Sequence, residues 1–352
     1  MLIHYDCRHF QGHVPCGYHK SEGVHCDGCE HYDQVNQRIL IIKLGAMGDV
    51  IRTTPLIEVL KKKHPGCQIF WLTLSTDILP DTVDKKLAFT LASILFLEEV
   101  EFDVLINLDK DVEACALAKR ISAKKQFGYS LIANVPAPVN QLAEHKFHTG
   151  LFDDIGQTNT KSYPEEMFEI IGETFSGEKY TISSKYNNFD WSLPAGGKLI
   201  GLNTGCGTRW TTRQWPEQHW IDLSKQLLAE GYRVLLLGGP EEDELNKRIQ
   251  AASGALYLGT FPLLQFVSLM NQCDLIVTLV TMALHVALAL EKQIILMNNI
   301  FNRHEFDMFG LGDIIEPPVC TCYFAQACDK NCMDDLLVAD IYKLIINRLP
   351  CQ

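Results

Sequence analysis

The sequence has no apolar run approaching the roughly 18 residues that would mark a membrane span. It has no apolar leader either. Met1 to Phe10 carries His, Asp, Cys and Arg, so no signal peptide is expected. A cytoplasmic protein is the expectation, with at most peripheral contact at the inner face of the cytoplasmic membrane. Positive charge is also scarce. The chain has 31 Lys and Arg against 43 Asp and Glu, a formal net charge of −12. That excludes the broad basic footprint of a general nucleic-acid binder, so no nucleic-acid partner is expected. It leaves room for a local basic pocket around a phosphorylated ligand.

What is present is enough for two globular domains. The chain has 352 residues, too many for one ordinary core, and 47% of them are hydrophobic. Thirteen cysteines are many for a reducing compartment, and they cluster. Cys7, Cys16, Cys26 and Cys29 lie at the start, and Cys320, Cys322, Cys328 and Cys332 near the end. Clustered thiols in a cytosolic chain read as metal ligands before disulfides.

Alternation of short apolar runs with amphipathic segments predicts an α/β fold with parallel sheets. Residues 1–35 are polar and aperiodic, and form a Cys/His-rich metal-binding segment. Ile39 to Ile42 is a buried strand, followed by a turn with Gly45 and Gly48 and a helix from Val50 to Lys63. Strands are expected at 67–74, 102–108 and 125–129, and helices at 88–97 and 111–122. Residues 137–159 read as a long functional loop with some helix, and 164–175 as a helix. The first domain spans 36–175, and a polar, Gly- and Pro-marked linker 176–197. A second βαβ series occupies 198–315, with its last clear strand at 293–297. Residues 316–352 hold the second cysteine group and a closing helix, 336–348.

Four stretches carry chemistry. Gly205-Cys206-Gly207-Thr208-Arg209-Trp210-Thr211-Thr212-Arg213 directly follows the 198–203 strand. Its glycines permit close approach of an oxyanion to backbone N–H groups, and Arg209 and Arg213 suit a diphosphate. Leu235 to Glu241 is a strand meeting a glycine turn, with an acid placed for a ribose diol. His285 opens a mostly apolar helix after the 274–279 strand. The first loop, Gly45 to Asp49, does not complete G-x-G-x-x-G, so the second half holds the better anion site.

Together these motifs resemble the ADP-heptose:lipopolysaccharide heptosyltransferase family, glycosyltransferase family 9. The resemblance runs from about Arg38 to Arg348. It rests on KLGAMGD with the downstream TTP, on LNTGCGTRW with the following R and WP, on LLGGPEEDE, and on CDLIVT with ALHVALAL. It implies a GT-B fold of two facing Rossmann-like domains with the site between them. It also implies an inverting transfer of a sugar, heptose from an ADP-sugar, onto a glycan or glycolipid acceptor such as lipopolysaccharide core. Asp49 would be the general base. Lys43 would lie near the transferred sugar. Thr204, Gly205, Gly207, Arg209 and Arg213 would hold the donor diphosphate, Glu241 the ribose, and Thr281, Met282 and His285 the donor at the helix start. The 137–163 segment would serve the acceptor side, through His145, His148 or Lys161. No catalytic metal is implied.

Two motifs depart from the family pattern. Val280-Thr281-Met282 stands where the family has Asp-Thr-Gly, and Met297-Asn298-Asn299-Ile300 replaces a Phe-Gly-Pro turn. The aspartate that touches the donor sugar is therefore absent, and Asn298 and Asn299 are candidate substitutes. The alternative readings are a nucleotide-sugar epimerase or hydrolase, and a non-catalytic, metal-stapled sugar-nucleotide-binding protein.

The cysteine groups lie outside the family core. Cys16-x2-His19 and Cys26-x2-Cys29 form two chelating turns suited to tetrahedral structural zinc, with Cys7 as a further ligand and His9, His13 and His25 as extra candidates. Cys320-x-Cys322-x5-Cys328-x3-Cys332 suits zinc or an iron–sulfur cluster, and spacing does not decide between them. The common crossing of a GT-B C-terminal helix onto the first domain places both groups on that domain, near each other.

Overall fold

The computed structural model describes residues 2–326, 328 and 330–350. It contains two six-stranded sheets. The first is ordered β3-β2-β1-β4-β5-β6, with β1 Gln37–Ile42, β2 Cys67–Thr73, β3 Lys85–Ala88, β4 Phe102–Asn107, β5 Ala123–Ile132 and β6 Val135–Pro138. All its pairs are parallel except the β5–β6 hairpin. The second comprises β7 Leu199–Asn203, β8 Arg233–Leu237, β9 Leu256–Tyr257, β10 Leu275–Leu279, β11 Gln293–Met297 and β12 Gly312–Ile315. It is ordered β12-β11-β10-β7-β8-β9 and is parallel throughout.

Counted within each domain, both orders are 3-2-1-4-5-6, the doubly wound arrangement. The strand order reverses between β1 and β4 and between β7 and β10. A crevice opens outside the carboxyl ends of the strands at each such reversal. The loops after β1, β4, β7 and β10 therefore face the space between the domains. The central strands are buried on both faces: β2 is buried along its whole length, as are β7 and β10. That explains their continuous apolar runs, because parallel strands covered by helices on both sides show no alternation.

Helix packing brings the domains together. The Met47–Thr53 helix packs on the Met282–Ala289 helix of the second domain. The fit depends on Gly48, where an added Cβ would stand 2.7 Å from the His285 ring. The 176–197 segment runs irregularly between the domains. Its Thr181 N–H donates to Thr54 (2.9 Å), and its Trp191 indole donates to Ser268 of the second domain (3.0 Å).

Several expectations are corrected. The helix expected from residue 88 starts at Leu91, capped by Thr90, because Lys85–Ala88 pairs with β2 as an edge strand. The 137–159 stretch is mostly structured: it holds the end of β6 and the Glu144–Thr149 and Asp153–Thr158 helices. A short strand, β12, follows the one read as last. The closing helix, Val338–Arg348, does not cross to the first domain. It packs on the Glu217–Ala229 helix and on β11, burying Ile341 and Ile345 in the second core.

Candidate active site

A cavity of about 580 Å³ opens between the domains, within the size range of small-molecule sites. Its first-domain wall is the Ala46–Asp49 turn and Arg52. Its second-domain wall draws on Asn203, the Gly205–Arg213 loop, Gly239, Glu242, Val280–Ala283 and His285. Aromatic and acidic residues from 301–306, and Phe324, close it.

Asp49 lies in the first turn of its helix, with its side chain 35% exposed to the cavity. Arg52, one helical turn on, approaches it at 3.3 Å, and the Lys43 ammonium at 4.0 Å. Burial pushes the carboxyl up, but Lys43 and Arg52 outweigh it and hold the group below its ordinary value. Asp49 is thus an anion ready to accept a hydrogen bond. Lys43 is buried and does not line the cavity. It pairs with Asp109 and donates to the Gly45 carbonyl (2.7 Å). It positions the Asp49 turn, a different place from the expected one beside the sugar.

Arg52 was not anticipated from the sequence. Its guanidinium stacks on Tyr163 (3.7 Å to the ring centre) and reaches Glu305 of the second domain, at 3.6 Å to the carboxylate and 3.2 Å to the carbonyl. It joins Asp49 to the opposite domain. The i,i+3 spacing from Asp49 was the available signal; nothing in the sequence marks Glu305.

The glycine loop on the second-domain wall is built differently. Arg213 is buried, and its guanidinium donates to the carbonyls of Val280, Cys206 (2.8 Å) and Trp210 (3.3 Å). It clamps two loops rather than extending to a diphosphate as expected. Arg209 is exposed, 5.5 Å from the centre of the Trp210 ring, and keeps its charge for a ligand. Thr204 is fully buried, donating to Asn246 (2.6 Å), and does not line the cavity. Gly205 and Gly207 do line it. A Cβ at Gly205 would overlap the Glu242 side chain, whose carboxylate accepts the N–H groups of Gly239 (2.9 Å) and Gly207 (3.4 Å). In this structure a carboxylate therefore sits where an anion cradle was expected. Glu241 is exposed and lines an adjoining cavity of about 570 Å³ that shares Cys206, Gly207 and Glu242 with the first.

Thr281 caps the next helix and accepts the Asn203 amide (3.3 Å); Met282 and His285 line the cavity. Burial and the nearby Arg52 push His285 down to about 3, so the ring is neutral. Its Nδ1 has no partner among the described residues. Asn298 and Asn299 do not substitute for the missing aspartate. Asn298 holds Phe301 and Glu316 (both 2.7 Å), while Asn299 donates to Thr212 (2.8 Å) and to the Cys332 sulfur (3.4 Å). On the proposed acceptor side, His145 meets Asn159 (3.3 Å), Lys161 pairs with Glu169 (2.7 Å) and His148 is exposed. None of the three lines the cavity.

The C-terminal cysteines flank this loop. The ligand atoms of Cys320, Cys322 and Cys332 lie within 4.8 Å of one another, the one such group of three among the described residues. Cys322 and Cys328 are joined as a disulfide, so two of the four expected ligands are covalently paired, and the Cys320 and Cys332 sulfurs are 2.9 Å apart. Thr212 donates to Ala325 (3.0 Å), and Phe324 packs edge-on against Trp210 and Phe301. The segment thus abuts the donor-side wall. The N-terminal cysteines lie elsewhere, around a separate chamber, so the two groups are not neighbours.

Residues 157–301 match the family model of glycosyltransferase family 9 (heptosyltransferase). That match covers 145 of the chain's 352 residues. A 142-residue stretch of the chain, 38% of it, is 31% identical to lipopolysaccharide heptosyltransferase 2 of Salmonella typhimurium and spans 39% of that protein's length. Over 250 residues, 64% of the chain, it is 23% identical to lipopolysaccharide heptosyltransferase 1 of Escherichia coli K12, spanning 75% of it. The fold is that of a family 9 glycosyltransferase from Veillonella parvula (TM-score 0.68, 17% identity, 90% of this chain and 98% of the other). It is also that of the E. coli heptosyltransferase WaaC with ADP (TM-score 0.63, 18% identity, 89% and 100%). The GT-B architecture is therefore shared. An iron-containing dodecameric glycosyltransferase, TibC of E. coli, matches more loosely (TM-score 0.55, 12% identity, 90% and 76%).

Proposed function

We propose that this chain is a family 9 glycosyltransferase that transfers a heptose from an ADP-sugar to a hydroxyl of a glycan or glycolipid acceptor, in one inverting displacement with Asp49 as general base. The observation that carries the reading is Asp49 itself: an ionised carboxylate on one wall of the interdomain cavity, facing an arginine-bearing glycine loop on the other. The acceptor oxygen forms its bond to the anomeric carbon as the bond to the diphosphate oxygen breaks. Asp49 takes the hydroxyl proton and the departing ADP takes the electron pair. Positive charge near the diphosphate assists departure, and Arg209 is placed to supply it. The ADP-sugar assignment is supported by the relatives whose descriptions name heptosyltransferase and ADP. A lipid-linked acceptor would bring the protein to the inner membrane face. None of the described helices is long and apolar enough to cross a membrane.

The same reading includes a structural metal at the C-terminal cysteines. Three sulfurs already converge, the Cys328 sulfur is bonded to one of them, and the Asn299 amide donates to Cys332 as an outer partner would. In the reduced chain, Cys320, Cys322, Cys328 and Cys332 would hold zinc or iron and brace Phe324 against the donor loop. The metal has no part in the transfer step.

A panel of ADP-, UDP- and GDP-sugars, scored by thermal stabilisation and by acceptor-dependent release of the nucleotide, tests the donor. A ligand at 100 times its Kd stabilises by about 2.7 kcal/mol. Stabilisation by ADP-heptose with acceptor-dependent ADP release is expected. Stabilisation by UDP- or GDP-sugars alone would overturn the assignment.

A further inference from the structure

Residues 2–36 are folded without a core. Not one of them is fully buried, and none belongs to a hydrophobic cluster. Ordering a backbone costs roughly 1–2 kcal/mol per residue, so a segment of this length needs another source of stability. Two backbone pairings close it: Arg8 N–H to the Asp33 carbonyl and Val35 N–H to the Asp6 carbonyl, both 2.8 Å, with Cys7 bridged to Gln34. Those bonds hold the ends and leave the interior unexplained.

Four thiols occupy that interior. Cys7, Cys16, Cys26 and Cys29 are each half-buried and line one chamber of about 240 Å³, walled by Phe10, Tyr18, Val24 and Tyr32. Each thiol sits in a tight turn. The Phe10 N–H returns to the Cys7 carbonyl (3.0 Å), Lys20 to Cys16 (3.1 Å) and Cys29 to Cys26 (3.2 Å). Gly28, at φ 72°, gives the Cys26–Cys29 turn its left-handed step. No hydrogen bond engages any of the four sulfurs among the described residues.

Several imidazoles surround them. His31 pairs with Glu22 (2.8 Å) and stacks on Tyr18, and His4 stacks on Tyr32. His19 turns Nδ1 to the Val24 carbonyl (3.0 Å), fastening the short helix to the Cys26 turn. That makes His19 a positioning residue; His9 and His25 also line the chamber, and the four thiols are its soft donors.

We propose that Cys7, Cys16, Cys26 and Cys29 jointly hold one thiophilic metal centre, zinc or iron, which replaces a hydrophobic core in residues 2–36. Four soft sulfur donors select such metals. Binding displaces the thiol protons to solvent and turns metal affinity into folding free energy. No three of these sulfurs lie within 4.8 Å of one another, so a single ion must draw the turns together across the chamber, whereas an iron–sulfur cluster spans more of it.

The centre stands apart from the transfer site. Arg8 docks the segment on the first domain, donating to the carbonyls of Cys67 (2.9 Å) and Gly66 (3.2 Å) and pairing with Asp84. Cys67 opens β2, at the amino ends of the strands. The cleft lies at their carboxyl ends, about 20 Å away along a seven-residue strand.

The test compares the full chain with a Cys26→Ser/Cys29→Ser variant, both purified anaerobically with the C-terminal cysteines intact. Zinc, iron and acid-labile sulfide are measured per chain, with tryptic cleavage after Lys20 and thermal stabilisation by ADP. The variant should lose one centre: one zinc, one iron without sulfide, or iron with matching sulfide. Cleavage after Lys20 should accelerate at least tenfold, with stabilisation by ADP unchanged. Unchanged metal content would overturn the proposal. If the variant does not fold, thiol titration of the native full chain decides. Four thiols that react only after chelation or cluster disassembly, beyond those of the C-terminal group, support the centre; immediate reaction of all four refutes it.

Discussion

The two walls of the cleft are built by different means. The first-domain wall is a web of ion pairs over ten residues of sequence: Lys43, Asp49 and Arg52, closed by Asp109 and Glu305. The second-domain wall has almost no pairing of this kind. Its one buried cation, Arg213, is spent on backbone carbonyls, and its shape comes from Trp210, Phe301 and Phe324 and from the cysteine segment behind them. On the proposed reading, the wall that holds the base has its charge fixed and compensated, and the wall that receives the diphosphate is framed by backbone and aromatic groups around the exposed Arg209.

The contrast can be broken at its strongest point by Arg52→Met. Removing one partner of a buried ion pair typically costs about 3–5 kcal/mol, so denaturant unfolding should show a loss of that order. A loss below ~1 kcal/mol would mean that the first wall is not held by charge. Gly48→Ala probes where the walls touch. Its Cβ would fall 2.7 Å from the His285 ring, and overpacking of this kind costs about 1–3 kcal/mol; a lowered Tm is expected. Arg209→Ala should weaken ADP binding by about tenfold, roughly 1.4 kcal/mol, in calorimetric titration, without changing Tm. Arg213→Ala should instead lower Tm, since it unfastens Cys206 from Val280.

The last probe concerns pH. His285 has a folded value of about 3 against an ordinary 6.5. Between those values the unfolded chain binds the extra proton, so stability is full above about 6.5 and falls as pH drops toward 3. His285→Gln should flatten that part of the stability profile, measured by denaturant unfolding at several pH values.

Legibility in the sequence follows the same divide. The first wall's carboxylate was readable as facing the cleft, because Gly45, Gly48 and Asp49 follow a buried strand directly and loops after such strands face the crevice. The second wall was readable only in outline. It is assembled from separate segments around 203–213, 239–242, 280–285, 301–306 and 324, and sequence spacing does not show which side chain of each faces inward. Arg213 and Thr204 turned to neighbouring backbone and side chains, and Glu242 rather than Glu241 entered the glycine cradle. The double α/β pattern was legible from the apolar runs. The edge strands β3 and β12 were not, being only four residues each and half-exposed. The closing helix followed its own apolar face, Ile341 and Ile345, onto the nearer core.

The central claim rests on Asp49, and one paired measurement on Asp49→Asn tests it. Single-turnover transfer from ADP-heptose is read alongside calorimetric binding of ADP. Loss of a general base should slow transfer by about 10²–10⁴-fold, with ADP affinity within twofold of the parent. Transfer at the parental rate, or a matching collapse of ADP affinity, would contradict the account.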